Sequence, residues 1–322
     1  MNRLAVRVRV VRAAVIVSAI FALVAIFADF LASDLPIMSK ISGKIWLFPN
    51  VTRPAALTKM TASERANATE WQLPALVAHG PLIANEDPAA RLRGPFALPG
   101  HPLGTDRAGR DIFARCVHGA RNYLVFALAA VIASLVLGSF FGGVAGLFGG
   151  VTDAFVNRAI ETISAFPALV LILGIQAAVP HATLTTLFFA IALTRWPEIA
   201  RLVRAEVMRI EARDYVMAAR ALGASPLRVL WRHVLPNIRG QVAALGAFGI
   251  PAVVLVEASL DFLRIGIGET TSASWGETMS QFRGVSHAWW LLAFPGILLF
   301  VMVVAMNIVG EALRASSDPR GR

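Results

Sequence analysis

The chain has 322 residues, 57% of them hydrophobic and 16% charged, with a mean hydropathy of +0.65. Soluble chains carry charge on about 25% of residues, so there is too little polar skin here for a water-soluble fold, and the apolar residues fall in runs that call for lipid. The net charge of +10 comes with only three lysines, Lys40, Lys44 and Lys59, and among such runs it reads as basic cytoplasmic loops rather than a nucleic-acid surface; the single cysteine, Cys116, excludes an intrachain disulfide, and no Cys/His cluster suggests a metal.

In chain order, Arg3, Arg7, Arg9 and Arg12 precede the first apolar run. A signal peptide has the same order, but the run ends at Ala28-Asp29-Phe30-Leu31 with no small-residue cleavage site, so it reads as a retained membrane helix with its basic end inside. A spanning helix needs about 20 mostly apolar residues. Six stretches meet that length: 13–32, 121–148, 160–180, 182–203, 241–262 and 288–312. Six crossings put both termini on one side. Arginine supports that side being the cytoplasm: Arg195, Arg201, Arg204, Arg209, Arg213, Arg220, Arg228, Arg232 and Arg239 lie between the fourth and fifth stretches, and Arg314, Arg320 and Arg322 in the tail. The outer segment 263–287 has only Arg264 and Arg283.

The sequence therefore predicts an all-α membrane protein of six transmembrane helices with cytoplasmic amino and carboxyl termini. Residues 1–32 hold the amino terminus and first helix, 33–120 an outer insertion, and 121–322 a five-helix core with a cytoplasmic loop at 204–239. The insertion is punctuated by prolines from Pro36 to Pro102 and shows little periodicity except near 57–71, where a short helix is expected after Thr61 or Ser63. It reads as a partly ordered loop, not an independent domain. In the second stretch Gly138, Gly142, Gly146 and Gly150 recur at steps of four, which lets another helix approach closely.

The most informative segment is RDYVMAARALGASPLRVLWRHVLPN at 213–237. Asp214 to Leu222 is helix-prone, and Gly223 suits a left-handed stop. Ser225-Pro226 is an N-cap followed by proline at the first helical position. A second short helix then places Leu227, Leu230, Trp231 and Val234 on one face and ends at Leu235-Pro236. The apolar stripe needs a partner: the protein's own membrane helices, the bilayer surface, or another protein. No P-loop is present, since no lysine lies beyond Lys59 and Gly43-Lys44 is followed by Ile45.

On these residues the segment resembles the EAA loop of permeases in ATP-binding-cassette importers, through Ala218-Ala219, Gly223 and Leu235-Pro236. Met217 stands where the motif often has Glu. The wider string AARALGAS…RHVLPN is similar to the dipeptide/oligopeptide permease branch. So, in order, are HPLGTDRAGRD at 101–111, Phe166-Pro167, WPEIARLVRAEV at 196–207, VEASLDFLRIGIG at 256–268, Trp275-Gly276, Phe294-Pro295-Gly296 and Asp318-Pro319-Arg320. The resemblance is to the C-type subunit with an expanded first periplasmic loop. It implies a type I importer permease fold in the bacterial inner membrane and no catalytic residues or cofactor of its own. The partners it implies are a homologous second permease, two ATP-binding-cassette ATPase subunits, a periplasmic substrate-binding protein and the lipid bilayer, with no nucleic acid. ATPase coupling would fall on Tyr215, Ala218, Ala219, Gly223, Ala224, Ser225, Pro226, Leu230, His233, Leu235 and Pro236.

Ionisable residues inside a membrane are costly and point to function. Glu257 and Asp261, one turn apart, stand under two readings: a polar lining of the translocation path, or structural charges with Arg264 as a partner at helical spacing. Asp29 and Glu311 lie near helix ends and can snorkel, and His181 reads as an interfacial residue. A secondary transporter would need mid-membrane coupling carboxylates or inverted repeats, and neither stands out.

Overall fold

The structure, a computed structural model, describes residues 2–85, 87–180, 183–265 and 272–317. His181, the Gly266–Gly268 end of the 256–268 string, Asp318-Pro319-Arg320 and Arg322 lie outside the described residues. The long helices are α1 (Asn2–Ile26), α2 (Ile112–Phe148), α3 (Gly150–Ser164), α4 (Ala168–Ala178), α5 (Leu184–Glu211), α6 (Asp214–Ala221), α7 (Pro226–Phe262) and α8 (Trp290–Ser317). By length and composition, four helices among the described residues can cross a membrane: Val8–Ile26, Ile112–Phe148, Pro226–Phe262 and Trp290–Ser316. The bent pair α3–α4 makes a fifth if it is one span.

Two expectations change. The stretch 160–180 is not one helix, because α3 and α4 meet at 84° around Ala165–Pro167. Pro167 has no N–H to continue the ladder and pushes the preceding residue out of helical geometry, so a new helix starts after it. The stretch 182–203 is helical from Leu184 on, within α5, but Arg195, Glu198 and Arg201 interrupt its apolar character, and it does not count among the apolar spans.

The chain divides into two compact units, one of Met1–Ile16, Val125–Val256 and Val303–Arg322, the other of Val17–Leu124 and Glu257–Met302. In the first, the α2 glycines do what their spacing suggests. A Cβ on Gly142 would lie 2.8 Å from the Cα of Ala200, and one on Gly146 would lie 2.7 Å from the Cβ of Val207, so α5 packs backbone-close. Gly150 departs from the pattern. It faces open space at φ +51° and starts α3 instead.

The second unit holds an element that the all-α expectation lacks, an antiparallel sheet of β1 (Met38–Ile41), β2 (Lys44–Leu47) and β3 (Thr69–Leu73) in the order β2-β1-β3. Ser42 and Gly43, at φ 50° and 74°, make the two-residue hairpin loop that suits strand twist. Ser39 and Ile41 point inward, where Leu35, Ile41 and Leu57 form a small core with Trp46, Met60 and Ala68 against it. Of the two starts expected for a short helix, Thr61 and Ser63, the first is the one found: the helix is Ala62–Ala68, closed by a reciprocal capping box between Thr61 and Glu64.

Candidate functional site

The 213–237 segment is built largely as its residues dictate. After α6, the Gly223 N–H donates to the Arg220 carbonyl and the Ala224 N–H to the Ala219 carbonyl, the paired bonds of a Schellman stop. Gly223 supplies the left-handed conformation at φ +84°. Ser225 Oγ then accepts the Arg228 N–H at 3.3 Å, with Pro226 at the first helical position.

Beyond that point the structure departs from expectation. Leu235-Pro236 does not end the helix, which runs on to Phe262. A π turn at Leu230–Val234, with the Leu235 N–H donating to the Leu230 carbonyl, widens the ladder ahead of Pro236 and takes in the proline ring without a break. The apolar stripe is also split. Leu230 and Val234 are buried with Val216, Val229 and Ile238 against Leu147, Val203, Val207 and Ile210, whereas Leu227 and Trp231 stay exposed. Leu230, expected among the contact residues, is therefore an anchor; a side chain at Gly143 would lie 2.9 Å from its Cδ2.

Of the other expected residues, Tyr215, Ala218, Gly223, Ser225 and Pro226 are exposed, as is Pro236, while Ala219, Ala224, His233 and Leu235 are half-buried. Asn237 Nδ2 donates to the Tyr215 hydroxyl at 3.2 Å and to the His233 carbonyl at 2.6 Å, which ties the two arms together. Leu222, which the sequence does not single out, is 90% exposed at the tip between the two helical arms, with Trp231 at 68% and Met217 also open. A large apolar residue beside a glycine stop, with no neighbour at helical spacing to cover it, was the available sign. An exposed apolar tip on a buried valine–leucine base is the form of a protein-docking surface.

In the second unit the 101–111 string forms a folded loop clamped onto the short helix Trp275–Ser280. Asp106 accepts from Arg110 Nε at 2.6 Å, Arg110 lies 3.4 Å from Glu277, and Arg115 pairs with Glu277 and donates to Thr278 Oγ1 at 3.0 Å. Gln281 Nε2 closes the ring by donating to Glu277 at 2.6 Å and Asp106 at 3.2 Å. Trp290 Nε1 donates to the Thr105 carbonyl at 3.0 Å and Trp275 Nε1 to the Cys116 carbonyl at 2.9 Å. These charges are buried but mutually paired, the condition under which burial is tolerated. Beside the ring, His101 Nδ1 lies 2.8 Å from Asp111 Oδ2, and the His79 ring stacks on His101 at 4.0 Å. Burial pushes Asp111 up, against the pull of the Ala114 N–H and His101. Burial, and next the charge of His101, hold His79 below the usual imidazole range.

Glu257 is 5% exposed, and its Oε2 has no hydrogen-bond partner among the described residues. Asp261 accepts a hydrogen bond from Ser274 Oγ, which caps Trp275–Ser280 by accepting the Glu277 N–H and lies 2.9 Å from the Tyr123 hydroxyl. Gly276 sits against this carboxylate's stem; a Cβ there would lie 2.9 Å from the Asp261 Cβ. Asp29 pairs with Arg121 at 2.7 Å.

Residues 134–322 match the family described as binding-protein-dependent transport system inner membrane component. A protein of Brucella suis biovar 1 (strain 1330), provisionally named a peptide transport system permease, is 38% identical over 245 residues, which cover 74% of this chain and 81% of the relative. The dipeptide transport system permease of Alkalihalophilus pseudofirmus is 34% identical over 238 residues, covering 74% and 77%. The oligopeptide transport system permease of Bacillus subtilis (strain 168) is 33% identical over 223 residues, covering 69% and 72%. An inward-facing structure of the MetNI methionine ABC transporter superposes with a TM-score of 0.53 at 16% identity, over 64% of this chain and 98% of that one; at such identity the likeness is one of fold.

Proposed function

The chain belongs to the family of binding-protein-dependent transport system inner membrane components, and we propose that, as a permease subunit of a peptide importer, it forms half of the translocation path beside a second, homologous permease. Two separate ATP-binding-cassette subunits drive it through the segment 213–237, and a substrate-binding protein delivers the peptide from outside. The protein is a multi-pass inner-membrane protein of the type I importer permease fold. In this reading α5 supplies the sixth crossing, and both termini lie in the cytoplasm with the arginine-rich 195–239.

One observation carries the coupling assignment: Leu222 and Trp231 are exposed apolar side chains on a capped turn whose base is anchored in the chain's own core. A lever has to be gripped at one end and rooted at the other. Work passes through it only if the ATPase contacts it differently in its two states. Tyr215, Met217, Leu222, Leu227 and Trp231 form the gripped surface, and Val216, Val229, Leu230 and Val234 form the root. Of the two readings of Asp261, the hydrogen bond from Ser274 favours the structural one.

The test is uptake of a labelled peptide by cells carrying Gly223→Pro or Ala219→Asp. Proline cannot adopt the φ of +84° found at Gly223, and an aspartate at half-buried Ala219 charges the face of the turn. Both variants are expected to insert in the membrane in normal amounts and lose uptake. Normal uptake by both would sink the assignment.

A further inference from the structure

The outer face of the three-stranded sheet is largely apolar and left uncovered by the described residues. Cross-strand pairing places Leu47, Met38 and Leu73 in one row and Ile45, Lys40 and Trp71 in the next, all on the face opposite buried Ser39 and Ile41. Ile45, Leu47, Trp71 and Leu73 are 58%, 59%, 44% and 52% exposed. A face this apolar on a protein surface marks an interaction site. Building on the membrane placement above, we propose that this face is seated in the outer leaflet of the bilayer, at the boundary between acyl chains and headgroups.

Three observations favour lipid over a protein occupant. First, the face is continuous with the outer end of α1. Leu23 and Ile26 there, and Phe27 just beyond, are exposed apolar residues at the end of a membrane span that the chain leaves largely open. A ring ladder runs on from Phe27 to Phe30 at 5.9 Å and from Phe30 to Phe48 at 6.0 Å, and Phe48 directly follows Leu47 at the end of β2.

Second, polarity rises along the strands in the direction a membrane interface requires. The row nearest Phe48 is wholly apolar. One step of two residues further, about 7 Å along a strand, Lys40 enters and pairs with Glu70, and the Ser42-Gly43 turn lies beyond it. Third, Lys40 and Trp71, a long cationic stem and an indole ring, are cross-strand partners in the second row of this face. Long cationic stems and indole rings are the residues that settle at the headgroup level.

The test uses the assembled importer in nanodiscs of phosphatidylethanolamine and phosphatidylglycerol. In a Cys116→Ala background, single cysteines at Leu47, Leu73, Ser42 and Leu23 carry a bimane label, read against a doxyl-labelled lipid and against aqueous iodide. The lipid quencher is expected to remove about half or more of the emission at Leu47→Cys and Leu73→Cys, as at Leu23→Cys, while iodide acts on Ser42→Cys. Iodide quenching at Leu47→Cys and Leu73→Cys, or protection there from both quenchers, which would mean a covering protein, overturns the proposal while Leu23→Cys still reports lipid. Loss of lipid quenching at Leu23→Cys as well would overturn the membrane placement itself.

Discussion

The 213–237 segment and the 101–115/275–281 clamp are the two most constructed parts of the molecule, and they are built on opposite principles. The clamp buries its charges and leaves none of its ring without a partner: Asp106, Arg110, Arg115, Glu277 and Gln281 satisfy one another out of reach of water. The 213–237 segment buries only aliphatic side chains, holds its shape with backbone and side-chain caps, and leaves Leu222 and Trp231 in the open. A buried ionic ring resists change, because any altered geometry strands a charge in a low dielectric. A capped turn on a valine–leucine root moves as one piece and offers its surface to something else. The first is suited to fixing a region and the second to receiving a push.

That contrast breaks most sharply at Glu277. Glu277→Ala takes from wholly buried Arg115 the carboxylate it pairs with, leaving Asp106 to serve Arg110 at 2.6 Å and Arg115 only at 3.8 Å, at a cost of about 3–5 kcal/mol. Thermal unfolding in detergent is expected to show a large loss, with peptide uptake falling because less folded protein is present. A stability unchanged from wild type would mean the ring does not hold the region.

A smaller effect sharpens the other side. Ser225→Ala removes the side-chain acceptor for the Arg228 N–H, worth about 1 kcal/mol of local helix stability. Hydrogen exchange at 227–229 is expected to speed up while global unfolding barely moves. Equal slowing or no change at those amides would contradict the cap's role.

The smallest effect is one of pH. His79 takes its proton less readily in the folded state than in the unfolded chain, where imidazole titrates near 6.5. Its contribution is therefore intact above that value and is lost as pH falls below it. Asp111, pushed up by burial, has the opposite sign and acts at lower pH, where folding favours its protonated form. Melting temperature is expected to drop modestly between pH 7 and 5 and to lose part of that dependence in His79→Gln. An identical slope in the variant would remove His79 from the account.

What the sequence made legible follows from range. Gly223, Ser225-Pro226 and the helix start at Thr61 are local chemistry in which cause and effect lie within four residues; the first two are where the sequence places them, and the third is one of the two starts it offers. The glycine ladder of α2 is also legible, because a helix face is a local pattern even when its partner is distant. The clamp is not, since Arg115 and Glu277 are 162 residues apart and nothing local marks them as partners. The sheet escapes notice because its strands are four or five residues long and their outer face is apolar where a sheet facing water would be polar. The π turn at Leu230–Val234 is set by burial of Val229, Leu230 and Val234 against α2 and α5, and that tertiary pull overrides the 3.6-residue stripe.

The central claim, that 213–237 is the surface on which separate ATPase subunits act, is tested most directly by co-purification in mild detergent of the tagged wild-type chain and of Leu222→Asp. Leu222 is 90% exposed, so the substitution is expected to leave folding within about 0.5 kcal/mol of wild type. The account predicts that wild type brings down a second permease and P-loop ATPases, and that Leu222→Asp keeps the permease and loses the ATPases. Retention of the ATPases at wild-type levels by a Leu222→Asp, Trp231→Asp double variant, or a wild-type chain that purifies alone and still moves peptide in liposomes, would contradict it.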